Sequence, residues 1–207
     1  MPAQSEKAIA MIQGILLAAG LGQRFDPSGE KDKLLQARPD SGKPVLWHSG
    51  RAMFEALPGT LAVIQGHQPK RVHCLFDAGC EVLISPEAQH GMGSALAAAV
   101  RHCLEKKPGI TGFVISLGDM PWVPAQAIAQ VHAALAKSSA QELRAVAPYF
   151  DGKRGHPVGL TRAWAASLIA LQGDVGAKHL LRDAEIIAID WPTADVLRDV
   201  DVPEDLA

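Results

Sequence analysis

The most informative stretch of the chain is residues 15–25, in which an apolar run ends in glycines and then an arginine. Apolar residues of strand length followed by Gly20 and Gly22 predict a buried strand that runs into a tight loop with an exposed backbone. Such a loop can turn several N–H groups toward an anion, and Arg24 adds a guanidinium suited to phosphate. The loop alone fits a simple strand-to-helix turn equally well, because an isolated Gly-x-Gly is a weak signal.

Two familiar phosphate-binding motifs are excluded by the neighbouring residues. Gly20-Leu21-Gly22 begins like a dinucleotide-binding fingerprint, but Phe25 stands where the third glycine of that motif belongs. Gly42-Lys43 resembles the end of a P-loop, but Pro44 replaces the required serine or threonine. Any nucleotide site in this chain is therefore of another kind.

Composition indicates one globular domain. The 207 residues are 48% hydrophobic and 20% charged, and the net charge of −2 favours neither nucleic acid nor a membrane surface as a partner. No apolar run has membrane-spanning length. Three cysteines without a Cys-x-x-Cys pair indicate reduced, buried thiols in a cytoplasmic protein. We expect a flexible N-terminal tail over 1–11 and a single domain over 12–207.

The order of apolar runs and breakers predicts an α/β fold. Strands are expected over 13–19, 60–65, 81–84, 113–117, 144–149 and 185–190. Helices are expected over 47–57, 69–78, 93–106, 124–137, 161–171 and 176–181, with a long loop over 20–46 and a turn over 152–159. This alternation predicts a mainly parallel twisted sheet with helices on both faces. Active sites in such sheets lie beyond the carboxyl ends of the strands.

Acidic residues follow two of the predicted segments. Asp119 comes directly after the strand at 113–117, and Asp199 and Asp201 lie near the C-terminus. Two carboxylates beside a phosphate loop are what a Mg²⁺ ion bridging phosphates requires. Each also has an ordinary explanation, since Asp119 could cap a turn before Pro121, and the C-terminal pair could be a solvated acidic end.

Together these segments resemble one family over nearly the whole chain, from residue 13 to 206. The chain is similar to the MobA-like nucleotidyltransferases, which include the molybdenum-cofactor cytidylyltransferase and guanylyltransferase. Ala19 resembles the cytidylyltransferase branch, because the guanylyltransferase branch usually has a second glycine there. The matching motifs are Leu17-Ala18-Ala19-Gly20, Arg24-Phe25, Lys33-Leu34-Leu35, Gly42-Lys43-Pro44-Val45, Gly91-Met92-Gly93-Ser94, Leu117-Gly118-Asp119-Met120-Pro121, Arg154-Gly155-His156-Pro157-Val158 and Asp199-Val200-Asp201-Val202-Pro203.

The resemblance implies a Rossmann-like nucleotidyltransferase fold and transfer of CMP from CTP to the terminal phosphate of molybdopterin. Pyrophosphate would leave and molybdopterin cytosine dinucleotide would form. Arg24, Lys33 and Asp119 would be catalytic, and Asp119 and Asp201 would hold Mg²⁺. His156 would bind the acceptor. The nucleotide would contact residues of the first loop and of a later glycine motif: Leu17, Ala18, Ala19, Gly20, Gly22, Arg24, Lys33, Gly91, Met92 and Ser94.

Several alternatives stay open at this point. Lys31 rivals Lys33 as the phosphate lysine, and Asp199 rivals Asp201 as the metal ligand. Ser94 could be a helix cap, and His156 could be a turn residue with its ring in solvent. Asp174 is expected to cap the helix at 176–181 rather than to touch a ligand. The base could be guanine, the acceptor another phosphorylated molecule, or the protein an inactive accessory factor that docks to a molybdoenzyme or its chaperone.

Overall fold

The apolar runs of the sequence form strands of one mixed sheet. The structure is a computed structural model that describes residues 10–20, 22, 24–182 and 184–206, so residues 1–9 of the expected tail lie outside the described part. The strands are β1 (Ile12–Leu17), β2 (Leu61–Ile64), β3 (Glu81–Ile84), β4 (Gly112–Leu117), β5 (Ala145–Phe150), β6 (Lys153–Arg154), β7 (Val158–Thr161) and β8 (Ile186–Asp190). The helices are α1 (Val45–Ala56), α2 (Pro69–Ala78), α3 (Met92–Lys106), α4 (Ala125–Leu135) and α5 (Ala165–Ile169).

The sheet has the order β3-β2-β1-β4-β7-β5, and β6 and β8 also pair with β5. Strands β1 to β4 are parallel to one another. Strand β7 is antiparallel to both β4 and β5, whereas β8 is parallel to β5. The predicted single-domain, mainly parallel sheet is therefore confirmed, with two antiparallel strands, β6 and β7, that the sequence did not reveal.

Helices cover both faces of the sheet because its central strands are apolar on both sides. Residues of α1, α2 and α4 pack on one face, for example Met53, Leu75 and Ile128. Residues of α3 and α5 pack on the other face, including Leu96 and Leu168. The three cysteines are buried, as expected. No helix of the described residues is long and apolar enough to cross a bilayer.

The structure corrects three of the predicted elements. The turn expected over 152–159 contains β6 and the start of β7, and the helix expected over 161–171 shrinks to α5. Buried Val158 and Leu160 explain this difference, because they fill the gap between β4 and β5 as a strand. The helix expected over 176–181 is a series of turns. So few residues, beginning at a glycine, gain too little from helix propagation to offset nucleation.

Candidate active site

The carboxyl ends of β1 and β4 open into a cleft of about 630 Å³. These strands are neighbours in register, with Leu17 opposite Leu117, so the segments that follow them lie side by side. Gly20 and Gly22 form one wall. Gly22 has a φ of +67°, and a Cβ there would lie 2.9 Å from Cγ of Lys33. Only glycine lets the loop take this conformation so close to the lysine.

Lys33 supplies a buried positive charge to the floor of the cleft. It begins a 3₁₀ turn over Lys33–Leu35, and the side chain of Asp32 caps this turn by accepting a hydrogen bond from the N–H of Leu34 at 3.0 Å. The Lys33 side chain is only 8% exposed. Its Nζ donates to Oδ2 of Asp119 at 2.7 Å and to the carbonyl of Val200 at 2.9 Å. One ammonium thus connects the loop, the end of β4 and the C-terminal segment.

Asp201 completes this charge network from the C-terminal segment. Its Oδ1 lies 3.5 Å from Nζ of Lys33, and its Oδ2 lies 2.7 Å from Nη1 of Arg24. The Arg24 side chain is 76% exposed, so its ion pair contributes little to stability. The backbone is fixed more firmly, because the N–H of Val200 donates to the carbonyl of Asp119 at 2.8 Å. Arg24 can therefore change partners while the two carboxylates stay together.

Asp199 adds a third carboxylate to the lining of the cleft. Burial raises the pKa of Asp199 above its ordinary value, and the neighbouring carboxylates of Asp201 and Asp119 raise it further. The carboxylates of Asp119, Asp199 and Asp201 outnumber the cationic side chains of Arg24 and Lys33 in this lining, so the carboxylates repel one another. A bound cation would relieve that repulsion.

Comparison with known proteins assigns the chain to a family. Residues 14–188 match the MobA-like NTP transferase domain. This chain belongs to the MobA-like NTP transferase family. It is therefore a nucleotidyltransferase, and the glycine loop, Lys33 and Asp119 all lie within the matched residues. The carboxylates of Asp199 and Asp201 follow the matched part.

Solved structures share the fold of this MobA-like transferase. Rv0371c from Mycobacterium tuberculosis H37Rv is 23% identical with a TM-score of 0.73, and the match covers 96% of each chain. A complex of Rv0371c with manganese is 21% identical with a TM-score of 0.70 and the same coverage of both chains. CMP:2-keto-3-deoxy-manno-octonic acid synthetase complexed with CTP is 12% identical with a TM-score of 0.68, and the match covers 95% of each chain.

A curated relative matches a shorter stretch. The bifunctional protein GlmU from Bordetella parapertussis is 30% identical over 115 residues, which cover 55% of this chain and 24% of that protein. The matched stretch thus spans about a quarter of the length of that relative.

The carboxylates of the MobA-like transferase fit a divalent cation that also binds phosphate. Asp119 and Asp201 converge on one ammonium, which marks a position where positive charge is favourable. Within the part of the chain that the structure describes, no three histidine, cysteine, aspartate or glutamate residues cluster as a metal cage. Mg²⁺ commonly binds one or two carboxylates and takes its other ligands from water and substrate phosphates. The donor set matches that pattern.

Other predicted site residues fall into two groups. The cleft is lined by Leu17, Ala19, Gly20, Gly22, Arg24, Lys33, Gly91, Met92, Asp119 and Asp201. Ser94, by contrast, faces the neighbouring turn, where its Oγ accepts a hydrogen bond from the N–H of Gly173 at 3.0 Å.

Asp174 lines the cleft and has no helix to cap, so the capping role expected for it is wrong. Lys31, the rival of Lys33, has an exposed side chain.

Ala18 and His156 lie away from the lining of the cleft. Ala18 is buried beneath the loop. His156 donates its backbone N–H to the carbonyl of Val196 at 2.9 Å, and among the described residues its buried Nδ1 has no hydrogen-bond partner. Burial, aided by Arg154, lowers the pKa of His156 to about 4, so the ring is neutral at pH 7. Because Nδ1 is buried, the alternative of a ring in open solvent is wrong.

Sequence reasoning missed Arg71, Asp32 and Gln65. Gln65 follows β2 and lines the cleft. Arg71, in α2, is buried and bonds to Asp32 and to carbonyl groups of the glycine loop. No motif marks these residues. The one available signal was an arginine among the apolar residues of an amphipathic helix.

Proposed function

We propose that this MobA-like transferase moves CMP from CTP to the terminal phosphate of molybdopterin. The observation that carries the proposal is the buried ammonium of Lys33, held beside the glycine loop against Asp119 and Asp201. A fixed cation next to two carboxylates suits a triphosphate bound with a divalent cation. Positioning and charge neutralisation supply most of the catalysis in such reactions.

In the proposed reaction, an oxygen of the acceptor phosphate attacks the α-phosphorus of CTP in line. The bond between the α- and β-phosphates breaks, pyrophosphate leaves, and molybdopterin cytosine dinucleotide remains. Lys33 and Arg24 bind the triphosphate, together with backbone groups of the loop from Leu17 to Gly22. Asp119 and Asp201 are the proposed ligands of Mg²⁺, which when bound neutralises charge on the phosphates.

Lys33 and Arg24 change partners in this scheme. Both are paired with carboxylates in the structure described here. A triphosphate with its divalent cation offers stronger partners to both kinds of side chain. The basic side chains can bind phosphate oxygens, and the carboxylates can bind the metal. Arg24 can move easily, since its side chain is mostly exposed, whereas Lys33 is anchored by the carbonyl of Val200.

The remaining contacts are proposals of the same kind. Gly91 and Met92 face the loop across the cleft and would contact the base or ribose. Ser94 would act there through the turn at Gly173. His156 is the proposed residue for acceptor binding, although its buried Nδ1 lies away from the lining of the cleft. The choice of CTP rests on Ala19 in the first loop, and the CTP complex of a protein with the same fold is consistent with it.

The decisive experiment measures pyrophosphate release with Mg²⁺ and molybdenum-loaded molybdopterin, with CTP, GTP, ATP and UTP in parallel. Selective turnover of CTP is the expected result. A preference for GTP would keep the chemistry and change the base. If folded protein releases no pyrophosphate with any nucleotide, the proposed transfer to molybdopterin is wrong.

A second candidate function is an inactive nucleotide-binding factor that docks to a molybdoenzyme or its chaperone. The variant Asp119→Ala separates the two functions, because a transferase loses turnover while an accessory factor keeps its partner interaction. A cytoplasmic location, inferred from the three buried thiols, belongs to either proposal.

A further inference from the structure

Arg71 is a buried arginine that joins three parts of the active-site loop. Its guanidinium donates to the carbonyl of Ala18 at 2.7 Å and to the carbonyl of Gly20 at 3.0 Å. The same group binds Asp32 in a bidentate manner, from Nε to Oδ2 at 2.7 Å and from Nη2 to Oδ1 at 2.8 Å. The Arg71 side chain is only 3% exposed, and among the described residues Arg71 does not line the cleft.

The carbonyl contacts fix the direction of the loop backbone. In a trans peptide the C=O and the following N–H point in opposite directions. Because Arg71 holds the carbonyl of Ala18, the N–H of Ala19 points away from the guanidinium. Ala19 itself lines the cleft. Arg71 therefore helps to set the orientation of a backbone donor in the predicted phosphate loop.

The Asp32 contact extends this control to Lys33. Oδ1 of Asp32 accepts hydrogen bonds both from Arg71 and from the N–H of Leu34, which closes the 3₁₀ turn that starts at Lys33. Arg71 thus fixes the cap, the cap fixes the turn, and the turn aims the Lys33 ammonium at Asp119. A planar fork with five donors can serve two carbonyls and a carboxylate at once, which a lysine ammonium cannot do with the same geometry.

We propose that Arg71 is a positioning residue for nucleotide binding, acting through Asp32 and Lys33 and through the loop carbonyls. The inference rests on the proposed nucleotidyl transfer. It predicts that Arg71→Met weakens binding of Mg²⁺–CTP and lowers kcat/KM for CTP by about 10- to 100-fold, because a small displacement of a positioned group has effects of this size. Asp32→Asn should reproduce part of the loss.

Arg162 provides a matched control. Its Nη1 also binds two loop carbonyls, those of Pro108 at 2.7 Å and Ile110 at 3.1 Å, but at the amino end of β4. Arg162→Met removes a comparable pair of contacts far from the cleft. We expect this variant to lose thermal stability while the affinity of the folded protein for CTP stays unchanged.

The critical test is a double-mutant cycle on CTP affinity, measured by isothermal titration with Mg²⁺ on folded protein. If Arg71 acts through Lys33, Arg71→Met and Lys33→Met together should lose less affinity than the sum of the single losses. Arg71→Lys should restore stability better than affinity. Amide hydrogen exchange over residues 32–36 should accelerate in Arg71→Met, which reports on the turn without reference to activity.

The outcomes separate the two proposals. Wild-type protein that binds none of the four nucleotides would overturn the proposed function. Wild-type protein that binds CTP, with equal affinity in Arg71→Met, would overturn the positioning role alone. Fully additive losses in the cycle, or full rescue of affinity by Arg71→Lys, would also contradict it, because either result would reduce Arg71 to a general stabilising charge.

Discussion

The two edges of the sheet use the same kinds of cationic side chain with different partners. At the carboxyl edge, Lys33 and Arg71 are bonded to carboxylates as well as to carbonyls. At the amino edge, Lys107 donates to the side-chain oxygen of Gln13 at 2.9 Å, and Arg162 donates to two backbone carbonyls. Around β1 and β4, the carboxyl ends therefore concentrate charges of both signs, and the amino ends use cations to satisfy neutral oxygen atoms. Farther along the amino edge, Arg144 forms exposed ion pairs with Glu142 and Glu185.

The chemical type of the acceptor decides whether a cationic side chain keeps its partner or can exchange it for a ligand. A neutral carbonyl has no charge to neutralise, so a phosphate ligand does not compete with a neighbouring cation for it. By contrast, a carboxylate paired with an ammonium group can bind a metal ion instead, and the ammonium group can then bind phosphate. The carboxyl ends of β1 and β4 are thus arranged for partner exchange, and their amino ends for permanent closure of loops.

The largest effect is expected from a matched pair of lysine variants. Lys33→Met should lower turnover at least about 100-fold, as removal of a group that stabilises the reacting charge typically does. Lys107→Met should leave kcat/KM unchanged and lower only the thermal midpoint. Pyrophosphate release and thermal unfolding of both variants check the prediction. Equal kinetic losses in the two variants would break the distinction between the edges.

His156 is a buried base of a different kind from Lys33 and Arg71. Among the described residues, its Nδ1 has no hydrogen-bond partner. Its pKa is lowered to about 4, mainly by burial. A base with a depressed pKa in the folded state gives stability that is present above its unfolded pKa of about 6.5 and lost as the pH falls toward 4. The loss is at most about 3.5 kcal/mol, because one pKa unit corresponds to about 1.4 kcal/mol.

The measurement is the free energy of unfolding by urea at pH 7 and pH 4.5. In His156→Gln the fall between these two pH values should be smaller than in the wild type. His67→Gln is the control, since His67 is exposed and its replacement should leave the fall unchanged. An undiminished fall in His156→Gln would show that other groups govern the acid sensitivity.

A smaller effect concerns metal binding without nucleotide. The Lys33 ammonium occupies the point where the Asp119 and Asp201 carboxylates converge, so it competes with a cation. Lys33→Met should therefore bind Mn²⁺ about tenfold more tightly than the wild type, since a hydrogen bond to a charged group contributes about 1.5–3 kcal/mol. Water proton relaxation by Mn²⁺ measures the affinity. Weaker Mn²⁺ binding in Lys33→Met than in Lys107→Met would contradict this competition.

The sequence could predict the features that depend on neighbouring residues, and it missed those that depend on contacts between distant residues. The strands up to β4 and the residues around Gly20, Lys33 and Asp119 follow from apolar runs, glycines and motif order, which are local signals. Strand β7 was missed because Gly155 and Pro157 suggest a turn, whereas buried pairing with β4 and β5 decides the conformation. Arg71 was missed because its partners lie 39 to 53 residues away in the chain.

The smallest effect is expected at Asp199. Its pKa is raised by burial and by the carboxylates of Asp201 and Asp119, so the folded protein binds this proton more tightly than the unfolded chain does. The ionised carboxylate therefore lowers stability above the unfolded pKa of 3.8, and the cost vanishes below that pH.

Asp199→Asn should consequently raise the free energy of unfolding at pH 7 by less than about 1 kcal/mol, because the side chain is only partly buried and solvent screens its charge. The gain should shrink as the pH approaches 3.8. Urea unfolding in the presence of EDTA checks this, with Asp77→Asn as an exposed control whose carboxylate pairs with Lys43. A loss of stability in Asp199→Asn at pH 7 would mean that Asp199 is held by attraction to Lys33 rather than strained by its acidic neighbours. The carboxyl edge would then carry no excess negative charge for a cation to relieve.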